Sequence, residues 1–417
     1  MGLSFHLAVQ QEESRSRRRR LTRKAIQDSE TCVAREITQD LLIEILARLP
    51  AKSVLRLKCL SKFWSSLFCS RYFCDRFLMV PSRPQPRLFM SLIDWDCHSK
   101  SLLLSAAPTT SCLSSFVFDD GLTIRKMGGV FMSILRGFIC FSIHSRAHIY
   151  NPSTRQIVIL PVVKSKILAP EESYSNMYNF LGHDPVNDQY KVLSIITSYS
   201  SKDLQNMRSE FWVFVIEPGG SWKRVAKDFH PHNYAEVELN TNGVLYYLAW
   251  TDTHTCVLVS FDMRSEEFDM IKVPRKPGDI GPSLRRRVTQ IEYGGGKIAV
   301  FDFTYLKKTG TVDLWVVEDW GNKEWSRKTL VLQPSQMHLV TDNRLTPKGT
   351  TLKEKVFLIP EKLVSPYYFL CYDLRINDLR KYEIKGIPDH WFSKPEATKN
   401  FDMEFMDSNG SIKYFET

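Results

Sequence analysis

The residues most able to do chemistry in this 417-residue chain stand apart from the partners such chemistry needs. Gly294-Gly295-Gly296-Lys297 could cradle a phosphate, because glycine lets backbone N–H groups close on the oxygens. A phosphate loop also needs Ser or Thr after the lysine and a helix behind it. Here Ile298 follows and the pattern continues as a strand, so the glycines read as a hairpin turn. His183-Asp184 could be half of an acid–base pair, but no Gly-x-Ser-x-Gly elbow or Cys/His signature supplies a nucleophile. It too reads as a turn. His144 and His148 could share a metal only on a helical face, their segment reads as a strand, and no glutamate completes a metalloprotease motif. The nine cysteines, at 32, 59, 69, 74, 97, 112, 140, 256 and 371, contain no C-x-x-C pair. They read as buried, reduced thiols, neither a zinc site nor a disulfide framework. No catalytic residue, metal site or cofactor is expected, and the work of the chain falls to surfaces that bind.

Charge points the same way. The formal net charge is +10, and the head of the chain is its most basic part. Residues 1–35 hold eight Lys/Arg, with Arg17, Arg18, Arg19, Arg20, Arg23 and Lys24 close together, against four acids. Such a tail is solvated and disordered, a nuclear-import signal, or a nucleic-acid contact. The body shows no basic stripe interleaved with stacking aromatics, so nucleic acid is not expected as a partner. No run approaches the roughly 18 apolar residues that span a bilayer, and no membrane partner is expected. Met1-Gly2 would begin a myristoylation signal, but His6 stands where Ser or Thr is needed.

Two kinds of element must position these surfaces. From Thr38 the apolar residues Leu41, Leu42, Ile45, Leu46 and Leu49 follow a helical stripe, with Thr38 able to cap it and Pro50 to stop it. A second short helix would carry Val54, Leu55 and Leu57, and Ser61 can cap a third carrying Trp64, Leu67 and Phe68. Three short helices cannot bury that much apolar surface among themselves, so part of it must face a partner or the rest of the chain.

These residues match a family. Ile37 to Pro50, ending Arg48-Leu49-Pro50, and Ala51 to Leu67, with Lys52-Ser53 and then Ser61-Lys62-Phe63-Trp64, closely resemble the two halves of an F-box. The family usually opens with a proline where this chain has Thr38, whose side chain offers a cap in exchange. The resemblance implies that residues 36–80 bind a Skp-family adaptor and, through it, a cullin. The expected adaptor contacts are Leu41, Leu42, Ile45, Leu46, Leu49, Pro50, Leu55, Leu60 and Trp64, with Trp64 as the anchor. Each could instead pack inside the helical unit.

After a Pro-rich linker over 81–87 the period turns to two. Runs such as Phe138-Ile139-Cys140-Phe141, Tyr190-Lys191-Val192-Leu193 and Val244-Leu245-Tyr246-Tyr247 alternate with Gly, Pro, Asn and Asp turns. A degenerate repeat of aliphatic strand, aromatic strand and return strand recurs about every 33 to 57 residues, near the spacing of propeller blades. A ring of small sheets would also remove most exposed edges. The expected architecture is α+β and multidomain. A disordered basic tail (1–35) and a small three-helix F-box precede an all-β, β-propeller-like domain over 88–417, with roughly six blades. Gly137-Phe138-Ile139-Cys140 with Tyr150-Asn151-Pro152-Ser153-Thr154-Arg155, and Leu181-Gly182-His183-Asp184-Pro185 with Tyr190-Lys191-Val192, resemble the F-box-associated domain of plant F-box proteins.

That resemblance implies the substrate-recognition subunit of an SCF-type ubiquitin ligase, which holds an unidentified protein target. No cysteine has the setting of a ubiquitin thioester. An F-box scaffold acting outside a ligase is the alternative. The implied location is nucleus or cytoplasm. Polar, patternless stretches at 165–180, 199–209, 228–236 and 274–288 are the candidate recognition loops.

Overall fold

The computed structural model describes residues 37–415, apart from 81–86, 95–100, 110–114, 120–122, 168–172, 201–202, 226–228, 253, 276–286, 342–343, 349–353, 362–364, 388–398 and 407–409. The basic tail, including Arg17, Arg18, Arg19, Arg20, Arg23 and Lys24, and nearly all of the expected linker lie outside the described residues. The chain forms two compact units, Met1–Ala47 and Arg48–Thr417.

The first unit contributes one described helix, α1 (Gln39–Ala47). Its first turn carries Asp40, favourable at the positive end of the helix dipole, and the Leu42 N–H donates to the Thr38 carbonyl at 3.0 Å. It stops two residues earlier than the apolar stripe, because Pro50 excludes Leu49 from helical geometry and Arg48 turns.

The second unit opens with α2 (Ala51–Lys58), α3 (Lys62–Cys69) and α4 (Arg71–Met79). Ser61 and Ser70 cap α3 and α4, their side-chain oxygens accepting from the N–H groups of Trp64 and Phe73, each at 3.3 Å. Helix α4 is additional to the three expected helices. Its signals are the Ser70 cap and Phe73 and Phe77 four residues apart, which bury completely. A ladder of rings, Trp64 on Phe68 (5.7 Å), Phe68 on Phe73 (4.8 Å) and Phe73 on Phe77 (6.0 Å), binds α3 to α4.

The rest is sheet. Strands β1 (Arg87–Asp94), β2 (Leu102–Pro108) and β3 (Ser115–Phe118), with a two-residue β4 (Ile124–Arg125) off β2, begin the first blade. Four up-and-down sets follow. They are β5 (Val130–Leu135), β6 (Phe138–Ile143), β7 (Arg146–Tyr150) and β8 (Ile157–Ile159); then β9 (Ser173–Asp184), β10 (Gln189–Ser200), β11 (Asp203–Val215) and β12 (Trp222–Val225). The next two are β13 (Asn233–Thr241), β14 (Val244–Trp250), β15 (Cys256–Asp262) and β16 (Phe268–Lys272); then β17 (Val288–Tyr293), β18 (Lys297–Asp302), β19 (Thr311–Asp319) and β20 (Glu324–Val331). A sixth set holds β21 (Leu345–Lys348), β22 (Lys355–Pro360), β23 (Tyr368–Asp373) and β24 (Asp378–Lys385). The last strand, β25 (Lys399–Met406), returns to pair antiparallel with all of β1, from Arg87↔Met406 to Asp94↔Lys399, and completes the first blade. Arg87, placed in the linker by sequence, thus belongs to a strand. A short parallel contact between β24 and β3 joins the sixth blade to the first.

Among the described residues, six hydrophobic cores lie between the six four-stranded blades, one for each neighbouring pair. The period-two pattern explains this. Along β14, Leu245, Tyr247 and Ala249 face the preceding blade, whereas Leu248 and Trp250 face the next. Each strand therefore has two apolar faces, and the ring must close to cover both. The innermost strands turn polar side chains toward each other: Lys348 pairs with Asp402 at 2.5 Å, and Asp402 accepts from the Met132 N–H at 2.8 Å.

Candidate protein-interaction site

The helices present their apolar residues unequally. On α1, Leu41 and Ile45 are exposed, Leu42 is half-buried, and Leu46 is buried at 6% exposure. Past it, Leu49 is half-buried. In the second unit Pro50 is exposed, Leu55 and Trp64 are half-buried, and Leu60, between α2 and α3, is 70% exposed. Trp64 is wedged between Phe63, at 5.2 Å, and Phe68. Four exposed apolar residues were not anticipated as contacts: Ile37, Phe63, Tyr72 and Met79. Periodicity selects the residues that share a stripe, and Phe63, Tyr72 and Met79 stand outside the stripes singled out, while Ile37 precedes α1 at the spacing of Leu41 and Ile45.

Helix α4 is fastened to the end of the propeller. The Arg71 guanidinium donates to the carbonyls of Pro185 and, at 3.0 Å, Val186, both in the turn between β9 and β10. Asp75 accepts a charged hydrogen bond from Arg136. Arg136 sits in the β5–β6 turn at φ 49°, a left-handed conformation that costs a non-glycine residue about 1–2 kcal/mol, with Gly137 beside it at φ 80°. That backbone aims its side chain at both Asp75 and the Tyr190 hydroxyl, 3.1 Å away. Burial works against the Arg136 charge, but Tyr190 and Asp75 outweigh it and raise its pKa. Next to it, Lys413 pairs with Asp188 at 2.9 Å and lies over the Tyr190 ring, while His183 Nε2 meets Asp188 at 2.8 Å. Burial lowers the His183 pKa despite Asp188, so at pH 7 a neutral imidazole N–H donates to the Asp188 carboxylate. Lys58 lies over the Tyr414 ring at 5.5 Å.

These contacts orient the propeller. From β5 to β24, turns after odd-numbered strands lie at one end of each blade and connections after even-numbered strands at the other. Arg71 of α4 bonds the turn after β9 and Asp75 of α4 bonds Arg136 in the turn after β5, so α4 occupies the odd-turn end. The four candidate recognition stretches all fall on connections after even-numbered strands, at the opposite end. They are shorter than expected, because residues from Ser173, Asp203 and Asn233 belong to β9, β11 and β13. Residues 168–172, 201–202, 226–228 and 276–286 lie outside the described residues.

The chemistry-capable residues resolve into turns. Gly294, Gly295 and Gly296, all at positive φ, join β17 to β18. Asp184 Oδ1 accepts from the N–H groups of Val186 and Asn187 at 2.8 and 3.2 Å, capping the β9–β10 turn. His148 lies in β7, stacked on Phe141, with His144 in the preceding turn. Among the described residues no group of His, Cys, Asp or Glu is arranged to hold a metal, and no helix is long and apolar enough to cross a membrane. Described cysteines are free thiols; Cys140, Cys256 and Cys371 are buried as expected, but Cys59 and Cys69 are exposed. Burial pushes the Cys371 thiol up to about 12.

Comparison with known proteins is consistent along the whole chain. Residues 84–409 match the F-box associated beta propeller domain family, and residues 36–76 match the F-box domain family. An F-box/LRR-repeat protein of Arabidopsis thaliana is 46% identical over 91% of this chain and 87% of its own length. F-box only protein 8 of the same plant is 59% identical over 69% of this chain and 98% of its own. Another Arabidopsis F-box protein is 45% identical over 98% of this chain and 100% of its own. Among solved structures, an Aleuria aurantia lectin covers 74% of this chain and 100% of its own, at a TM-score of 0.38 and 11% identity, a likeness too loose to bear on function.

Proposed function

The chain belongs to the F-box proteins that carry an F-box associated β-propeller domain, and from that premise we propose that it is the substrate-recognition subunit of an SCF-type ubiquitin ligase. The F-box binds a Skp-family adaptor, and through it a cullin, while the propeller holds a protein target. The observation that carries this reading is the set of large apolar residues left exposed on and between the helices of an F-box, Leu60 and Phe63 foremost. The chain acts by proximity: holding the target near a charged ubiquitin carrier raises effective concentration, and no group of its own need attack. The basic run Arg17, Arg18, Arg19, Arg20, Arg23 and Lys24 acts as a nuclear-import signal, tested by the location of a fluorescent fusion with and without these charges.

The test is co-expression with a Skp adaptor beside a Leu60→Asp, Phe63→Asp variant. Both side chains are exposed, so the substitutions leave folding intact; Leu46, buried in the chain, is unsuited. Burying unpaired carboxylates at the contact costs about 2–4 kcal/mol, a loss of roughly 30- to 1,000-fold. A folded wild type that captures adaptor without cullin favours the scaffold reading. One that captures no adaptor overturns both.

A further inference from the structure

At the odd-turn end of the propeller a cleft of about 350 Å³ opens between the β13–β16 and β17–β20 blades. One wall is aromatic. Trp320, in the turn between β19 and β20, stands edge-to-face with Tyr246 of β14 at 5.7 Å. The indole is held in place, because its N–H donates to Asp269 Oδ2 at 2.7 Å across the blade boundary. The other wall is acidic, formed by Asp262, Glu267 and Asp269 around the β15–β16 turn. Asp262 Oδ1 is occupied as a turn cap, accepting from the N–H groups of Arg264 and Ser265 at 2.7 and 2.8 Å, yet its charge remains. Glu267 is exposed at the rim. Among the described residues no lysine or arginine lines the cleft, although the whole chain carries a net charge of +10.

An aromatic wall opposite three carboxylates, with no resident cation, has one chemical complement. We propose that this cleft binds a lysine or arginine side chain presented by another polypeptide. The cation lies against the Trp320 and Tyr246 rings, whose negative faces attract it, and its N–H groups donate to Glu267, while Asp269, whose oxygens already accept from the Trp320 indole and the Met270 N–H, adds its charge. The methylene stem covers Phe268 and Val244, as long basic side chains do on apolar surface. The assignment deepens the receptor reading, in which that polypeptide is the target, and it puts one target contact on the same end of the propeller as α4.

The test uses the full chain purified with its Skp adaptor and fluorescein-labelled Gly/Ser peptides that bear lysine, arginine, acetyl-lysine or glutamate. Anisotropy should rise with the lysine or arginine peptide, weaken with salt, and stay flat with the acetyl-lysine and glutamate peptides. Trp320→Leu and the pair Glu267→Gln, Asp269→Asn should each weaken that binding about tenfold with adaptor capture unchanged, and the carboxamide pair should also keep the wild-type melting temperature. The carboxamide pair keeps side-chain size, so it tests the charges even if the tryptophan variant folds poorly. Equal binding of the acetyl-lysine peptide, no binding of either basic peptide, or binding indifferent to the carboxamide pair overturns the proposal. Failure of adaptor capture by the wild type would count against the receptor reading instead, and peptide binding would then stand by itself.

Discussion

Breaking the Asp75–Arg136 contact should loosen α4 from the propeller without unfolding either. Arg136 and Asp75 are 25% and 30% exposed, which puts the pair between a surface ion pair, worth under about 1 kcal/mol, and a buried one, whose breakage costs about 3–5 kcal/mol. The Tyr190 hydroxyl adds one hydrogen bond to a charged donor. Asp75 keeps a partner when Arg136 is removed, since Arg71 Nε lies 3.6 Å away, and that softens the loss. The expected coupling energy in a double-mutant cycle of Asp75→Asn and Arg136→Met is therefore about 1–2 kcal/mol. Amide hydrogen exchange along α4 is the local readout, and a loss near 1.4 kcal/mol predicts about tenfold faster exchange there. Exchange within β18 and β19, in a blade that neither Arg71 nor Arg136 touches, should not change. Adaptor capture should survive, because neither residue is among the exposed apolar groups. Additive effects within about 0.5 kcal/mol, or α4 amides that exchange as in the wild type, would refute the view that this pair fastens the helix.

Three further outcomes follow from the same structure. Burial raises the Glu238 carboxyl, ordinarily near 4.5, to about 7, with Ser133, Lys348 and Tyr234 opposing it and Asp402 adding to it. The folded chain thus holds this proton more tightly than the unfolded one, so the stability it contributes is full below pH 4.5 and is lost as pH rises to about 7. Glu238→Gln should melt with the wild type near pH 4 and be more stable by about 1–3 kcal/mol at pH 8, read by thermal denaturation across pH. His232 runs the other way: burial lowers its imidazole to about 4, so its contribution is lost as pH falls from 6.5 to about 4 in the wild type and variant alike. Gly243→Ala should destabilise by about 2–3 kcal/mol in urea, because φ is 81° and a Cβ would meet Pro185 Cδ at 2.5 Å. Ending the chain before Lys399 removes β25, exposes the full edge of β1 and the Phe357–Phe405 stack, and should yield insoluble protein; a soluble, cooperatively melting product would refute ring closure by β25.

Sequence carried much of this fold because its strongest signals are local. Ser61 three residues before Trp64 is a cap that needs no tertiary context, and the glycine run Gly294–Gly296 can only turn. A ring of roughly six blades was suggested because a strand–turn–strand unit with two apolar faces recurs, but only the strand pairing fixes the count at six. What sequence could not place are contacts that depend on which blade meets which helix. Arg136 reads as an unremarkable turn residue, and only the ring brings its left-handed backbone, Tyr190 and Asp75 together from positions 54 and 61 residues away. Trp320 and Asp269 likewise lie 51 residues apart and meet only because consecutive blades pack side by side. The apolar stripe of α1 was legible for the opposite reason, yet its period does not say which of its residues are buried and which are left bare. Leu46 is buried and Ile45, its neighbour, is exposed. Since a residue already buried in the chain has little surface left to give a partner, adaptor affinity should track the exposed neighbours of the stripe more than the stripe itself, and in a scan of single aspartate substitutions Ile45→Asp should lose adaptor while still folded, whereas Leu46→Asp should lose the fold of α1 first.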